Sequence, residues 1–117
     1  MLATDDVFAI TNVIANHEAF QLYLTVQSAT AQLLSDALYD VDKFRWGPDN
    51  FNITIWEILS AKQYPLEILV SHWEHGMDGI GRIKEMFRTD TGKLYGPDFL
   101  DKGLQIGTAI HEHLRSL

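Results

Sequence analysis

The stretch PLEILVSHWEHGMDGIGRIKEMFR, residues 65–88, decides the fold because its apolar residues recur at steps of three and four. That spacing puts them on one face of an α-helix, whereas a strand would need alternation. Pro65 suits a first helical position, where its missing N–H is not needed. A glycine inside a helix costs ~1 kcal/mol relative to alanine, so Gly76 to Gly81 is where a break is expected. The apolar stripe consists of Leu66, Leu69, Val70, Trp73, Met77, Ile80 and Phe87.

The first third of the chain, residues 4–38, is also predicted to be helical, with apolar residues on two faces. At ~1.5 Å per residue such a helix would span about 50 Å. A domain of this size has a diameter of roughly 35 Å. We therefore expect a break near ANHEAF, residues 15–20, together with a second copy of the chain that covers the remaining apolar face.

The other segments complete the prediction of a mainly α fold. YDVDKFRWGPDN (39–50) and TDTGKLYGPD (89–98) are predicted to be loops, and a last helix is predicted over residues 97–116. FNITIWEILSAKQ (51–63) mixes strand-like alternation with helical spacing, and helix is preferred.

The sum is a bundle of four to five helices with a long or bent N-terminal helix. The whole chain, residues 1–117, is expected to form one helical domain. The alternative is an α+β fold with a hairpin made from about 51–59 and 66–74.

Composition limits the classes of function. The chain has no cysteine, which excludes disulfides, thiolate metal sites and cysteine nucleophiles. Its net charge of −7 makes nucleic acid an unfavourable partner, because phosphate binding relies on lysine and arginine. The N-terminus lacks the basic region of a signal peptide, and no apolar run approaches the ~18 residues of a membrane span. We expect a cytoplasmic protein that does not enter a membrane.

His72 and His75 are candidate metal ligands. Three residues apart on a helix, their side chains project from neighbouring turns and can reach one ion. Two histidines are half of a tetrahedral site, so a transition metal would need ligands from another helix. The alternative is that both are partly exposed histidines beside a glycine-rich surface.

A second set of candidates suits a partner-binding surface. Trp and Tyr are frequent anchors of interfaces, and glycine lets another backbone approach closely. Gly76 and Gly79 are predicted to lie together on the helix face opposite the apolar stripe. The alternative for the aromatic residues is that they close one end of the bundle. The predicted partner-binding residues are Tyr39, Phe44, Trp46, Trp73, Gly76 and Gly79.

These features favour a small acidic protein-binding chain, regulatory or accessory, that self-associates through an apolar helix face. No serine lies in a nucleophile-elbow context and no pair of acids suggests general acid and base, so a binding protein is preferred to an enzyme. No cofactor is predicted apart from the transition metal considered above. The competing hypothesis is a helical metal or small-molecule site around His72 and His75, with or without catalysis.

Overall fold

The computed structural model describes residues 11, 16, 17 and 28–117. These residues form four helices packed together and no strand, which confirms the mainly α prediction. The alternative hairpin is wrong, because residues 51–59 and 66–74 are helical. None of the described helices combines the length and hydropathy that a membrane span requires. The helices are α1 (Ala29–Phe44), α2 (Ile55–Lys62), α3 (Leu66–Ile83) and α4 (Asp90–Arg115).

The predicted helix over residues 4–38 is not continuous. Thr11 is helical, but Asn16 lies in a turn and His17 lies outside any helix, so the expected break near residues 15–20 is confirmed. α1 begins after Ser28, whose side-chain oxygen accepts a hydrogen bond of 3.0 Å from the Ala31 N–H. The other positions of the predicted helix before Ser28 lie outside the described residues.

The loop predicted over residues 39–50 is shorter than expected. α1 continues to Phe44, because Tyr39, Asp40 and Lys43 find tertiary partners for their polar groups and are buried. A π-helical turn, Asn50–Thr54, then leads directly into α2. The helical prediction for residues 51–63 is thereby confirmed.

α3 crosses all three of its glycines without a break, so the break expected between Gly76 and Gly81 does not occur. Trp73 and Ile80 bury the apolar face on both sides of Gly76, and this packing outweighs the low helix propensity of glycine. The helix ends at Ile83, five residues before the end of the predicted segment. Gln63, in the left-handed region at φ 52° and ψ 38°, ends α2 and turns the chain toward α3.

The predicted start of the last helix at residue 97 is wrong. α4 begins at Asp90, because Thr89 caps it with an oxygen that accepts from the Gly92 N–H at 2.9 Å. Residues 89–98 are therefore the cap and first turns of α4 rather than a loop. Pro97 lies inside the helix, where its ring leaves the Lys93 carbonyl without its usual N–H donor.

α4 packs through a buried stripe of four glycines and one leucine along the helix. A Cβ added at Gly103 would lie 2.7 Å from the carbonyl carbon of Gly47, and one at Gly107 would lie 2.6 Å from the Met77 sulfur. Glycine is therefore required for the close approach of α4 to its neighbours. The stripe consists of Gly92, Gly96, Leu100, Gly103 and Gly107. The apolar core around it consists of Phe51, Trp73, Ile80, Ile83, Phe87 and Leu100.

Candidate functional site

The inward side of α1 is polar. Ser35, Tyr39 and Lys43 follow one another at four-residue intervals and are buried, and Asp40 is buried beside them. The Lys43 ammonium donates to the His17 carbonyl at 2.6 Å and to Asp42 at 2.8 Å, and it lies 4.2 Å from the Tyr39 ring centroid. Burial lowers the pKa of Lys43, against the opposing effect of Asp42.

Arg88 approaches the same tyrosine ring, with its guanidinium carbon 3.4 Å from the centroid. Its Nη1 donates to the Asn16 carbonyl at 3.4 Å, and the Asn16 amide donates to the Ser35 hydroxyl at 3.5 Å. Burial raises the pKa of Tyr39, and Arg88 acts against that rise. Hydrogen bonds to Lys43 and Ser35 thus hold Asn16 and His17 against α1, which is a structural role.

The outward side of α1 is apolar. Leu33, Leu34 and Val41 are 66%, 55% and 67% exposed, and Ala37 lies between Leu34 and Val41 in the helical sequence. Residues seven apart lie two turns apart on one side of a helix, so Leu34 and Val41 share a direction. We call the exposed residues Leu33, Leu34 and Val41, together with the half-buried Ala37, the α1 face. It contains no charged residue.

A second apolar surface is a groove between the π-helical turn and α2 on one side and α3 on the other. One half, with a volume of about 230 Å³, is lined by Ile55, Ile58, Leu59, Tyr64, Ile68, Leu69 and His72. The other half, of about 200 Å³, is lined by Trp46, Asn50, Phe51, Ile55, Ile58, Leu69, His72, Trp73, Gly76, Met77 and Ile80. His72 lines both halves, and none of the described residues that line either half is Asp or Glu. We call this surface the α2–α3 groove.

His72 is held by its own helix. Its Nδ1 lies 2.8 Å from the Ile68 carbonyl oxygen and 3.1 Å from the Ser71 hydroxyl. A carbonyl oxygen only accepts hydrogen bonds, so Nδ1 carries the proton and Nε2 is the nitrogen with an acceptor lone pair in the neutral ring. His75 is exposed one turn further on. In the part of the chain that the structure describes, no three histidine, aspartate or glutamate side chains group closely enough to hold a metal.

The predicted partner-binding residues fall into two sets. Tyr39 and Trp73 are buried in the folded chain. Phe44 is half-buried, with its ring centroid 5.3 Å from that of Phe87. Trp46 and Gly76 line the α2–α3 groove, beside the apolar stripe of α3 rather than opposite it. Gly79 does not line the groove, although a Cβ added there would meet open space.

Trp73 is an interior residue that joins α3 to α4. Its indole N–H donates to the Gly107 carbonyl at 3.0 Å, and its ring stacks on His111 with a centroid distance of 6.1 Å. His111, on α4, therefore packs against Trp73, on α3.

Sequence reasoning missed the inverted polarity of α1 and the glycine stripe of α4. The stripe has a signal in the sequence, since Gly92, Gly96, Gly103 and Gly107 recur at intervals of four, seven and four. Because the last helix was predicted to begin at residue 97, Gly92 and Gly96 were assigned to a loop, and only Gly103 and Gly107 were assigned to the helix. The sequence carries no such signal for the polarity of α1. Which side of a helix is inward depends on where the other elements of the fold pack against it.

Over the residues that the structure describes, the fold and these two surfaces define an all-α arrangement of four packed helices with an apolar helix face and an apolar groove. Comparison of the chain with family models, with curated proteins and with solved structures finds no match.

Proposed function

We propose that this chain is a protein-binding regulatory or accessory protein that acts through the α1 face, and that the occupant of this face is a second copy of the chain. The observation that carries the proposal is the inverted polarity of α1. Its polar side chains are turned inward and bonded, while its leucines and valine are exposed. Exposed apolar patches of this kind mark interaction surfaces.

Self-pairing suits the spacing of the α1 face. If two copies of α1 pack antiparallel about a point between Ala37 and Leu38, Leu34 of one copy meets Val41 of the other, and the small Ala37 allows close approach beside the crossing. Because the face carries no charge, two chains of net charge −7 do not oppose like charges along it. A single 16-residue helix offers less than the ~1,000 Å² of a stable interface, so the dimer is expected to be concentration-dependent.

Light scattering of the purified chain over a range of concentrations tests this proposal. The mass is expected to rise from monomer toward dimer, and Leu34→Glu or Val41→Glu is expected to keep it monomeric. Leu94→Glu on α4 is the matched control, since Leu94 is a comparably exposed leucine outside the α1 face. Circular dichroism verifies that each variant is folded. A monomer at every concentration, or a dimer unaffected by Leu34→Glu, would overturn self-pairing.

The alternative, a transition metal held by His72 and His75, stays a prediction with less support. The Nδ1 atom of His72 already contacts two groups of its own helix, which leaves one ring nitrogen for a ligand. Elemental analysis of the purified protein tests for the metal.

A further inference from the structure

We propose that the interface between two copies of the chain is two helices wide, and that Leu33 of one copy packs on an aromatic surface of the other. This arrangement rests on the proposed function, since it takes a second copy as the occupant of the α1 face. The aromatic surface consists of Phe44 on α1 and of Tyr95 and Phe99 on α4, and we call it the aromatic shelf. The shelf brings α4 into the interface and gives Leu33 a specific contact.

The aromatic shelf continues the α1 face onto α4. Phe44 follows Val41 by three residues, so their side chains lie on neighbouring turns of one side of α1. The centroid of the Phe44 ring lies 5.5 Å from that of the Phe99 ring, with 49° between the ring planes. Tyr95 precedes Phe99 by one helical turn. Tyr95 and Phe99 are 61% and 36% exposed, so the exposed apolar surface extends over two helices.

The packing of α4 determines which way Tyr95 faces. Leu100 has no exposed surface and points into the core. Phe99, which contacts α1 through Phe44, lies about 100° around the helix from Leu100, and Tyr95 lies about 40° further in the same direction. Tyr95 is therefore turned away from the core, toward the side on which α1 exposes its apolar face. Leu94 lies about 100° beyond Tyr95 and points elsewhere.

Leu33 lies on the side of α1 against which α4 packs. It precedes Asp40 by seven residues, so both lie on the same side of the helix, two turns apart. Asp40 contacts the start of α4, since it accepts from Thr89 and a Cβ added at Gly92 would lie 2.8 Å from its carboxylate carbon. From there α4 runs toward Phe44, along the C-terminal half of α1. Leu33 is in the N-terminal half, before the start of α4, and is 66% exposed.

A two-fold axis brings Leu33 and the aromatic shelf together. When Leu34 of one copy meets Val41 of the other, Leu33 comes level with the last turn of α1 in the other copy, beside its shelf. A two-fold axis that crosses both helices keeps the α4 side of each copy on the same side of the dimer. Leu33 therefore packs on the shelf of the other copy, and the contact occurs twice.

The shelf also adds area to an interface that a single helix leaves small. Burying an aromatic side chain fully removes about 150–250 Å² from water, so Tyr95 and Phe99, at their exposed fractions, add on the order of 200 Å² per copy. This addition brings the interface closer to the ~1,000 Å² of a specific complex. None of the shelf residues is charged, so the second helix adds no repulsion between two acidic chains.

Sedimentation equilibrium of the full-length chain measures the dissociation constant of the dimer in each variant. Leu33→Ala and Tyr95→Ala are each expected to weaken the dimer about tenfold, because every dimer loses two apolar contacts. Leu94→Ala is the matched control for Tyr95→Ala. Leu94 is the neighbouring residue and is 69% exposed, but it lies outside the shelf, so no change is expected. Circular dichroism verifies that each variant is folded.

The double variant tests the contact itself. Because Leu33 and Tyr95 are expected to meet only between copies, Leu33→Ala combined with Tyr95→Ala is expected to weaken the dimer by much less than the product of the two single effects. Leu33→Ala combined with Leu94→Ala is the control, and it is expected to match Leu33→Ala alone.

Cross-linking provides a measurement of position. The chain has no cysteine, so introduced thiols react alone. A Leu33→Cys chain mixed with a Tyr95→Cys chain is expected to form a mixed dimer with a short bismaleimide, whereas neither chain forms a cross-linked dimer by itself. The two copies of Leu33 lie about 13 Å apart along the helix axis in this arrangement, which a short linker does not bridge.

The results separate this arrangement from the proposed function. A monomer at every concentration would overturn both. A dimer that forms normally in Leu33→Ala and Tyr95→Ala would overturn the two-helix interface and leave the α1 face as its whole extent. A double variant in which the two single effects multiply, or a Leu33→Cys chain that cross-links to itself, would show that Leu33 packs elsewhere than on the shelf.

Discussion

The carboxylate of Asp40 on α1 holds Thr89, the residue that caps α4, through two hydrogen bonds. Asp40 Oδ2 accepts from the Thr89 N–H at 2.8 Å and from the Thr89 hydroxyl at 2.6 Å, while Oδ1 accepts from the Arg88 N–H at 2.8 Å. The Thr89 oxygen then accepts from Gly92, so one buried carboxylate orients the cap of a helix distant in sequence. A negative charge here also faces the positive end of the α4 dipole.

Replacing Asp40 by alanine is expected to lower the free energy of unfolding by about 3 kcal/mol, because buried N–H donors lose their acceptor and the cap loses its support. Urea denaturation followed by circular dichroism measures the change. Asp36→Ala is the matched control on the same helix, since Asp36 accepts from the Gln32 side chain at 2.9 Å within that helix, and a loss of about 0.5 kcal/mol is expected. Equal losses in the two variants would show that Asp40 does not support the cap.

Gly103→Ala and Gly81→Ala are expected to change stability in opposite directions. At Gly103 the added methyl group would lie within 3 Å of the Gly47 backbone, so the variant is expected to be destabilised by about 1–3 kcal/mol. At Gly81 it meets open space, and the gain in helix propensity is expected to stabilise the chain by up to about 1 kcal/mol. Thermal unfolding measures both variants. A stabilised Gly103→Ala variant would contradict the close packing of α4.

The stability of the chain is expected to depend on Lys43 at alkaline pH. Burial lowers the pKa of Lys43 from 10.5 in the folded state, so in the window between the lowered value and 10.5 the unfolded chain binds more protons. In that window the free energy of unfolding therefore rises with pH through this group. Lys43→Met removes the rise, so the gap in free energy of unfolding, taken as wild type minus variant, is expected to increase as the pH approaches 10.5.

Two controls accompany the Lys43 measurement. Lys102→Met removes an exposed lysine paired with Asp98 at 3.1 Å and is expected to change stability by less than about 0.5 kcal/mol. The raised pKa of Tyr39 acts in the opposite direction, since it favours the folded state below pH 10.0 and is lost as the pH rises further. The Lys43→Met comparison is therefore made in a Tyr39→Phe background as well. A gap that stays constant with pH would contradict the burial of the ammonium.

Trp73→Phe is expected to destabilise the chain by about 1–2 kcal/mol more than Trp46→Phe. Trp73 donates to the Gly107 carbonyl at 3.0 Å in the interior, and phenylalanine has no N–H with which to make this bond. Trp46 is half-buried at the groove, and its ring lies 4.5 Å from the Arg45 guanidinium carbon. Chemical denaturation of both variants measures the difference, and an equal effect would show that the bond to Gly107 contributes little.

Much of the fold could be predicted from local pattern. The helix α3 was predicted from apolar residues at steps of three and four, and the turn after Phe44 was predicted from its turn-forming residues. Both patterns depend only on neighbours in sequence. The start of α4 could not be predicted in the same way. Asp40, which fixes the Thr89 cap, is 49 residues away along the chain, and no local pattern carries that contact.

The candidate surfaces could also be predicted only in part. His72 and Gly76 were singled out from their residue types and spacing, but their place on one apolar groove depends on how α2 packs against α3. Tyr39 and Trp73 were predicted to bind a partner because tryptophan and tyrosine are frequent anchors of interfaces. Their burial follows from Arg88 and Gly107, which reach them from other parts of the chain.

The sequence by itself determined that this chain is acidic, free of cysteine and mainly helical, since charge, composition and periodicity are properties of residues and their near neighbours. Only the tertiary structure decided which side of α1 is inward. In α1 the choice is the reverse of the usual one. Lys43 and Asp40 have their hydrogen-bond partners, the His17 carbonyl and Thr89, in the interior, and a helix that turns these residues inward leaves the leucines of the α1 face exposed.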